Sequence, residues 1–367
     1  MKKVLIALSS LNIGGAEARM TDVAEHLPKS EFQIDVLSMN LSDNQFFEDR
    51  LRACGANIIK TSPPSGKKML SHYKNLKKIM ADGKYDVVHA NTSYHCGFVM
   101  AAAKKYKVPV RVAHSRTTSY GRRSVVNYIA SFVGKFLIKT CAAERLAISK
   151  DSGVFLFGKN ADFKVLPNAF DLKKYFSDTS AEENSLREEF GLKDCFIVGN
   201  VGRFVPSKNQ KFAIDVFCEF LKNKQNSKLV FVGGGDTLEN VKAYAAEKGV
   251  SDKVVFVGPR DDVYLWMKIF DVTIFPSEYE GLGNVAIESQ AASVPCLCSE
   301  AVPKEVDMDL GIIKHMSLEK NAAEWATALA ELSIAERPTQ EKIIKHFDDR
   351  NYTVESEIRQ LIKIYES

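Results

Sequence analysis

The stretch "FDVTIFPSEYEGLGNVAIESQA" (Phe270 to Ala291) runs from an apolar segment through a glycine-broken polar turn into a segment with helical character. A short apolar run bounded by turn signals reads as a strand buried on both faces. The same style recurs along the chain. "KVLIALS", "FQIDVLS", "ANIIK", "YDVVHA", "VRVAHS", "RLAIS" and "FKVLP" fill the first half, and "CFIVGNVG", "KLVFVGG", "KVVFVG", "DVTIF" and "VPCLC" the second. Near-continuous apolar strands alternating with helical stretches predict parallel sheets covered by helices on both sides. Two such series, each of domain size, predict an α/β fold of two doubly wound, Rossmann-like domains facing a cleft. The expected boundaries are residues 1–172 for the first domain and 173–345 for the second. The remainder, 346–367, should form a last helix returning to the first domain, with Val354, Ile358, Leu361, Ile362 and Tyr365 at helical spacing.

The bulk numbers fit this architecture. The chain has 367 residues, 45% hydrophobic and 26% charged, which is ordinary for a globular protein with room for two domains. No apolar run approaches the roughly 20 residues of a transmembrane helix. "MKKVLIALSS" is basic then apolar, but no small-residue cleavage site follows it, so it reads as a first strand. Seven scattered cysteines without a CxxC pair predict reduced thiols and a cytoplasmic chain. Cys296 and Cys298 alternate as strand residues do, which predicts buried core rather than a metal site.

The net charge of +4 conceals an asymmetry. Residues 1–172 carry 26 Lys and Arg against 14 Asp and Glu, whereas 173–367 carry 24 against 32. Residues 60–123 alone hold 14 basic and 2 acidic side chains, which accounts for the whole excess of the first half. Such a field attracts an anionic surface or substrate. Basic-aromatic interleaving is absent, so nucleic acid is not an expected partner. Beyond this segment, "VVNYIASFVGKFLIK" sets Val125, Ile129, Phe132 and Phe136 at helical spacing, near Arg122, Arg123, Lys135 and Lys139. Two readings stand: a helix packed on the first sheet, or one lying on an anionic membrane face. The charge favours the second, which would make the chain peripheral on the inner face of the membrane.

Ligands of parallel α/β sheets bind at the carboxyl ends of the strands, near helix N-termini. Three glycine turns are expected there: Gly14 and Gly15, Gly233 to Asp236, and Gly281 to Asn284. Together they point to a phosphate-bearing ligand, although such glycines are more often steric. A diphosphate leaving group also calls for cations, and "NVGRFVPSKNQ" supplies Arg203 and Lys208 just past a strand. No Asp-x-Asp or His/Cys cluster accompanies a glycine loop, so no metal is expected. The two carboxylates of the opening stretch complete the pattern. A carboxylate accepts hydrogen bonds and sugars are clusters of donors. Glu288 is placed to accept from a ribose and Glu280 to meet a second polyol. The plainer alternative is that Glu288 caps its own helix and Glu280 is merely exposed. His114, at a strand's carboxyl end beside Ser115, is expected in the cleft, with His89 behind it.

These motifs resemble the family 4 retaining glycosyltransferases of the GT-B fold, including bacterial exopolysaccharide and capsule enzymes, over essentially the full length. The matching motifs are "GGAE" (14–17), "HS" (114–115), "ISK" (148–150), "PNAFD" (167–171), "GRFVPSKN" (202–209), "GGG" (233–235) and "EGLGNVAIESQA" (280–291). The resemblance implies that Glu288 binds the nucleotide ribose, that Arg203 and Lys208 neutralise the diphosphate, and that Glu280 contacts the transferred sugar. It further implies that Gly15 approaches the phosphates and that His114 faces donor sugar and acceptor. Donor-binding positions would also include Gly14, Gly202, Gly233, Gly234, Gly258, Gly281, Leu282, Gly283, Asn284 and Val285. The implied reaction is metal-independent transfer of a hexosyl or N-acetylhexosaminyl group from a nucleotide sugar, UDP-linked, to a glycan or lipid-diphosphate-linked acceptor. Gly283 stands where many relatives carry Pro or Phe, which bears on the sugar, and Ala169 replaces a frequent glycine in the linker. Other classes weighed are a nucleotide-sugar epimerase of the same fold and a non-catalytic nucleotide-sugar-binding protein. A dinucleotide oxidoreductase fails because "GGAEA" is not G-x-G-x-x-G.

Overall fold

Alternate residues of a strand point to opposite faces, so a strand apolar throughout needs cover on both sides. The first strand obeys this rule. Val4, Ile6 and Leu8 enter one hydrophobic cluster, whereas Leu5 and Ala7 enter another. The computed structural model describes residues 1–12, 14–64, 69–117 and 125–367, with side chains in the last span from Tyr128 onward. Thus Arg122, Arg123, the Val125 side chain and the Ser65–Lys68 part of the "SPPSGKK" loop lie outside the described residues.

The chain divides into two compact units, Met1–Ala169 with Val354–Ser367, and Phe170–Thr353. Among the described residues the first unit has seven strands: β1 (Lys2–Leu8), β2 (Phe32–Ser38), β3 (Asn57–Lys60), β4 (Val87–Ala90), β5 (Val110–Ser115), β6 (Glu144–Ala147) and β7 (Lys164–Val165). They pair in parallel in the order β3-β2-β1-β4-β5-β6-β7. The second unit holds β8 (Phe196–Val201), β9 (Ser227–Val232), β10 (Val254–Gly258), β11 (Val272–Phe275), β12 (Cys296–Ser299) and β13 (Ile313–Met316). Their order is β10-β9-β8-β11-β12-β13, again parallel. In each sheet the winding reverses beside the first strand, between β1 and β4 and between β8 and β11. Those reversals open the crevice in which doubly wound sheets hold ligands. Twelve of these strands match runs read from the sequence. The exception, β13, is a partly exposed edge strand carrying Lys314 and His315, so it lacks an apolar signal.

The unit boundaries differ slightly from those expected. Phe170 donates its N–H to the Tyr352 carbonyl at 2.7 Å and bridges Thr353, while Phe170 and Leu172 pack with Phe347 and Tyr352. Residues 170–172 are therefore held by the second unit. The last helix is Val354–Glu366 and starts later than expected, because a separate helix, Gln340–Asp349, ends at the Asn351 turn (φ 62°). Val354, Ile358, Leu361, Ile364 and Tyr365 of that last helix join the first unit's core. All seven cysteines are free, and Cys296 and Cys298 are buried in β12.

Candidate active site

At the reversal of the second sheet, β8 runs into Gly202, the exposed Arg203 and the buried Phe204. A 3-10 turn, Pro206–Lys208, follows, opened by a proline whose fixed φ suits a first helical position. Asn209 takes the left-handed conformation (φ 53°) and starts the helix Gln210–Leu221. The buried Gln210 side chain donates to the Arg203 carbonyl at 3.0 Å, which pins the loop. From β11 the chain passes through the buried Ser277 to Glu280. The two loops are tied by the Glu278 N–H, which donates to the Ser207 carbonyl at 2.8 Å. Lys208 then bonds directly to Glu280 Oε1, with only 20% and 10% of the two side chains exposed. The Lys208 ammonium also sits 4.8 Å from the centre of the Phe275 ring. Glu280 is thus an ion-paired group, not a merely exposed one. No hydrogen bond or ion pair holds the Arg203 side chain among the described residues.

The turn "EGLGN" opens a helix as expected, Asn284–Ala291. Gly283 at its start has φ 91°, and a Cβ there would lie 2.9 Å from Val302 Cγ1, so glycine is required. No side chain caps this helix, which leaves its first N–H groups available to an anion. Asn284 is exposed and Val285 half-buried on its first turn, and Leu282 packs beneath the turn. Glu288 lies beyond the first turn and does not cap its own helix. It is half-buried, and loss of solvation raises its carboxyl to about 7. Beside it, Tyr175 is pushed well above its ordinary range by burial, then by the Glu288 and Asp171 carboxylates. Tyr175 carried no signal in the sequence, because its neighbour lies more than a hundred residues away.

The "GGGD" loop differs from expectation. The next helix begins only at Leu238, with Thr237 at its start. Instead, the glycines pack backbone on backbone. Gly233 N–H donates to Gly258 O at 2.9 Å, Gly202 N–H to Val232 O at 3.0 Å, and Phe204 N–H to Gly234 O at 2.9 Å. A Cβ on Gly233 would lie 2.0 Å from the Gly202 carbonyl oxygen. Gly202, Gly233, Gly234 and Gly258 therefore stack three loops so that the one bearing Arg203 is held from beneath.

In the first unit, Gly14 precedes the helix Gly15–His26, which no side chain caps. Glu17 is partly buried in its first turn, and burial raises its carboxyl. His114 departs from the expected position facing a sugar. It is fully buried in β5, stacked on His89 with ring centres 5.3 Å apart. Arg116 Nη2 donates to its Nδ1 at 3.3 Å, and His89 Nε2 lies 3.1 Å from the same atom. These donors place the His114 proton on Nε2, which lies toward the Leu166 carbonyl but outside hydrogen-bond geometry. Burial, then the charge of Arg116, holds the ring neutral far below its ordinary pKa, and brings His89 to about 3. The site expected at His114 is instead the middle of a buried polar network.

Its hub is Arg116, which the sequence reading missed. Arg116 donates to Asn91 Oδ1 at 2.7 Å and Asn168 Oδ1 at 2.9 Å, and lies 3.9 Å from Glu357 of the last helix. Burial lowers it to about 10, against the opposing pull of Glu357. Arg19 pairs with Glu357 at 3.2 Å and also bonds the Ala169 carbonyl. Tyr365 sits 2.7 Å from His89 Nδ1. The signal that could have found Arg116 was its place directly after "HS".

Comparison with known proteins bears on both units. Residues 13–174 match the model of Glycosyltransferase Family 4, and residues 182–346 that of the glycosyl transferases group 1. EpsF of Bacillus subtilis (strain 168), named as a glycosyltransferase, is 29% identical over 99% of this chain and 96% of its own. A UDP-Gal:alpha-D-GlcNAc-diphosphoundecaprenol alpha-1,3-galactosyltransferase of Escherichia coli is 26% identical over 88% of this chain and 87% of its own. In structure, Anabaena HepE, solved with UDP, aligns with a TM-score of 0.76 over the whole of both chains at 18% identity. With two Rossmann-like domains and a family model matched by each half, the chain belongs to the family 4 glycosyltransferases of the GT-B fold.

Proposed function

We propose that the protein transfers a hexose or N-acetylhexosamine from a UDP-sugar, with retention and without a divalent metal, to a hydroxyl of a lipid-diphosphate-linked glycan in surface polysaccharide synthesis. The observation that carries this reading is the meeting of Lys208 and Glu280 at the reversal of the second sheet, beside exposed Arg203 and the uncapped helix bearing Glu288. Glu288 accepts from the ribose hydroxyls, which favours its ionised form. Arg203, Lys208 and the N–H groups at Gly283–Val285 face the diphosphate, the positive end of the helix adding ~0.3–1 kcal/mol. Glu280 accepts from a hydroxyl of the sugar.

In the reaction the C1–O bond to the β-phosphate breaks and its electron pair stays on phosphate oxygen. The acceptor oxygen bonds C1, and its proton leaves towards the departing phosphate. Cations poised where that charge develops lower the barrier without reorganising. The donor nucleotide is supported by HepE, solved with UDP, and the acceptor class by the Escherichia coli relative, whose name specifies a diphosphoundecaprenol-linked sugar. Such an acceptor places the enzyme at the inner face of the cell membrane.

The test is a panel of UDP-sugars with a diphospholipid-linked acceptor sugar, with and without EDTA, and the product anomer read by NMR. Expected is acceptor-dependent product of retained configuration, indifferent to EDTA. Activity abolished by EDTA and restored by Mg²⁺ or Mn²⁺ overturns metal independence. Product formed without acceptor favours the epimerase reading.

A further inference from the structure

The helix Val125–Cys141 is held by one face. Ile138 is buried, and Ala130 and Leu137 pack against the first unit's core. A Cβ on Gly134 would lie 2.2 Å from the Tyr94 carbonyl oxygen, and one on Gly97 would lie 2.1 Å from the Gly134 carbonyl oxygen. The helix is therefore seated as closely as backbone allows against the helix Cys96–Lys105. Its other face is large, apolar and uncovered. Tyr128, Ile129, Phe132 and Phe136 are 71%, 59%, 73% and 60% exposed, and Val133 joins them. These positions follow helical spacing and form one stripe.

The sequence that leads into and through the stripe carries one sign of charge. From residue 87 to 143 the sequence contains no Asp or Glu and nine Lys and Arg. Lys139 is exposed on the helix itself, and Lys105 on the helix beneath it. Lys135 is drawn down, donating to the Phe155 carbonyl at 2.6 Å. An aromatic stripe bordered by cations, on a helix too polar at its edges to span a bilayer, fits the boundary between headgroups and acyl chains of an anionic membrane. No helix among the described residues is long and apolar enough to cross one.

We propose that Tyr128, Ile129, Phe132, Val133 and Phe136 insert into the surface of an anionic bilayer and dock the first unit on it. The geometry decides between the two readings of this segment: the stripe points away from the sheet, not onto it. The aromatic residues supply depth, and the basic excess of segment 87–143 supplies the preference for anionic lipid. This surface is independent of the donor chemistry. A chain that binds vesicles but transfers no sugar would overturn the proposed function and leave the docking face standing.

The experiment is sedimentation of the full chain with phosphatidylglycerol or phosphatidylcholine vesicles, for the wild type, Phe132→Ser/Phe136→Ser and, as a control on the other unit, Ile334→Ser, which removes a side chain 84% exposed. The wild type and Ile334→Ser should sediment with phosphatidylglycerol. The double variant should lose about tenfold or more in partitioning, from two phenylalanines no longer buried. Its thermal midpoint should not fall, since both side chains are already in water. Equal partitioning of the double variant and the wild type, or no binding to phosphatidylglycerol at all, overturns the proposal. So does a concentration-dependent dimer that the double variant abolishes and vesicles do not disperse, which would assign the face to a second copy.

Discussion

Lys208 and Glu280, 72 residues apart in sequence, are bonded to each other, although one is the cation expected at a diphosphate and the other the carboxylate expected at a sugar. The pairing satisfies both groups, because each is largely buried and an unpaired buried charge is costly. It also sets a competition: a diphosphate must share Lys208 with Glu280.

Glu280→Gln therefore should tighten binding of free UDP while impairing transfer. Releasing Lys208 from a charged partner is worth ~1 kcal/mol, or about fivefold in affinity. Titration calorimetry with UDP and a turnover assay check both halves. Weaker UDP binding in this variant would mean that the pair holds the site together instead of competing for it.

Arg203→Ala should lower kcat by ~10²–10³, by analogy with loss of one donor to a developing oxyanion. Its thermal midpoint should barely move, because the side chain is exposed and unpaired among the described residues. Lys208→Ala should show a similar loss of kcat with some loss of stability. Near-normal turnover of either variant at saturating donor would remove that residue from the diphosphate.

Glu288 gives a pH signature. Its carboxyl stands at about 7 through burial, above its ordinary 4.5. The folded state thus holds this proton more tightly than the unfolded chain does. The stability it brings is complete below 4.5 and lost as pH rises through 7, a swing of up to about 3 kcal/mol. Glu288→Gln should consequently be more stable than the wild type at pH 8 and similar at pH 4.5, by denaturant titration. UDP should bind the wild type about tenfold more weakly at pH 6 than at pH 8, since the ionised acceptor form falls by that factor. Glu288→Ala should bind UDP weakly, and its affinity should lack this Glu288-dependent pH change. Identical pH profiles for the three proteins would contradict a ribose contact.

Glu357→Ala strips the countercharge from Arg19 and Arg116, and breaking a buried ion pair from one side costs ~3–5 kcal/mol. Arg19→Ala combined with Glu357→Ala should cost less than the two single changes added together. Urea unfolding of the four proteins makes the comparison. Strict additivity would show that the 3.2 Å contact carries no coupling.

Local periodicity was enough to read twelve of the thirteen strands among the described residues, the two-unit layering, the last helix's apolar face and the helix opened by Gly283. Each of these depends on residues two to four apart, and burial on both faces of a strand is written in the run itself. The candidate site was legible for the same reason: Arg203, Lys208, Glu280 and Glu288 all lie just past apolar runs, where parallel sheets present their ligands. What those residues touch was not legible. That Lys208 meets Glu280 depends on β8 and β11 being neighbours, which the strand order decides and no local pattern records. That the glycines at 233 and 234 let three loops stack depends on β8, β9 and β10 being neighbours, and His114 is buried because Arg116, His89 and the last helix converge on it. The helix at 125–141 shows the division most simply. Its amphipathic stripe was visible in the letters, but which face turns inward was decided by the backbone contact at Gly134 with the helix Cys96–Lys105 and the turn before it, since only a residue without a side chain lets two helices approach so closely.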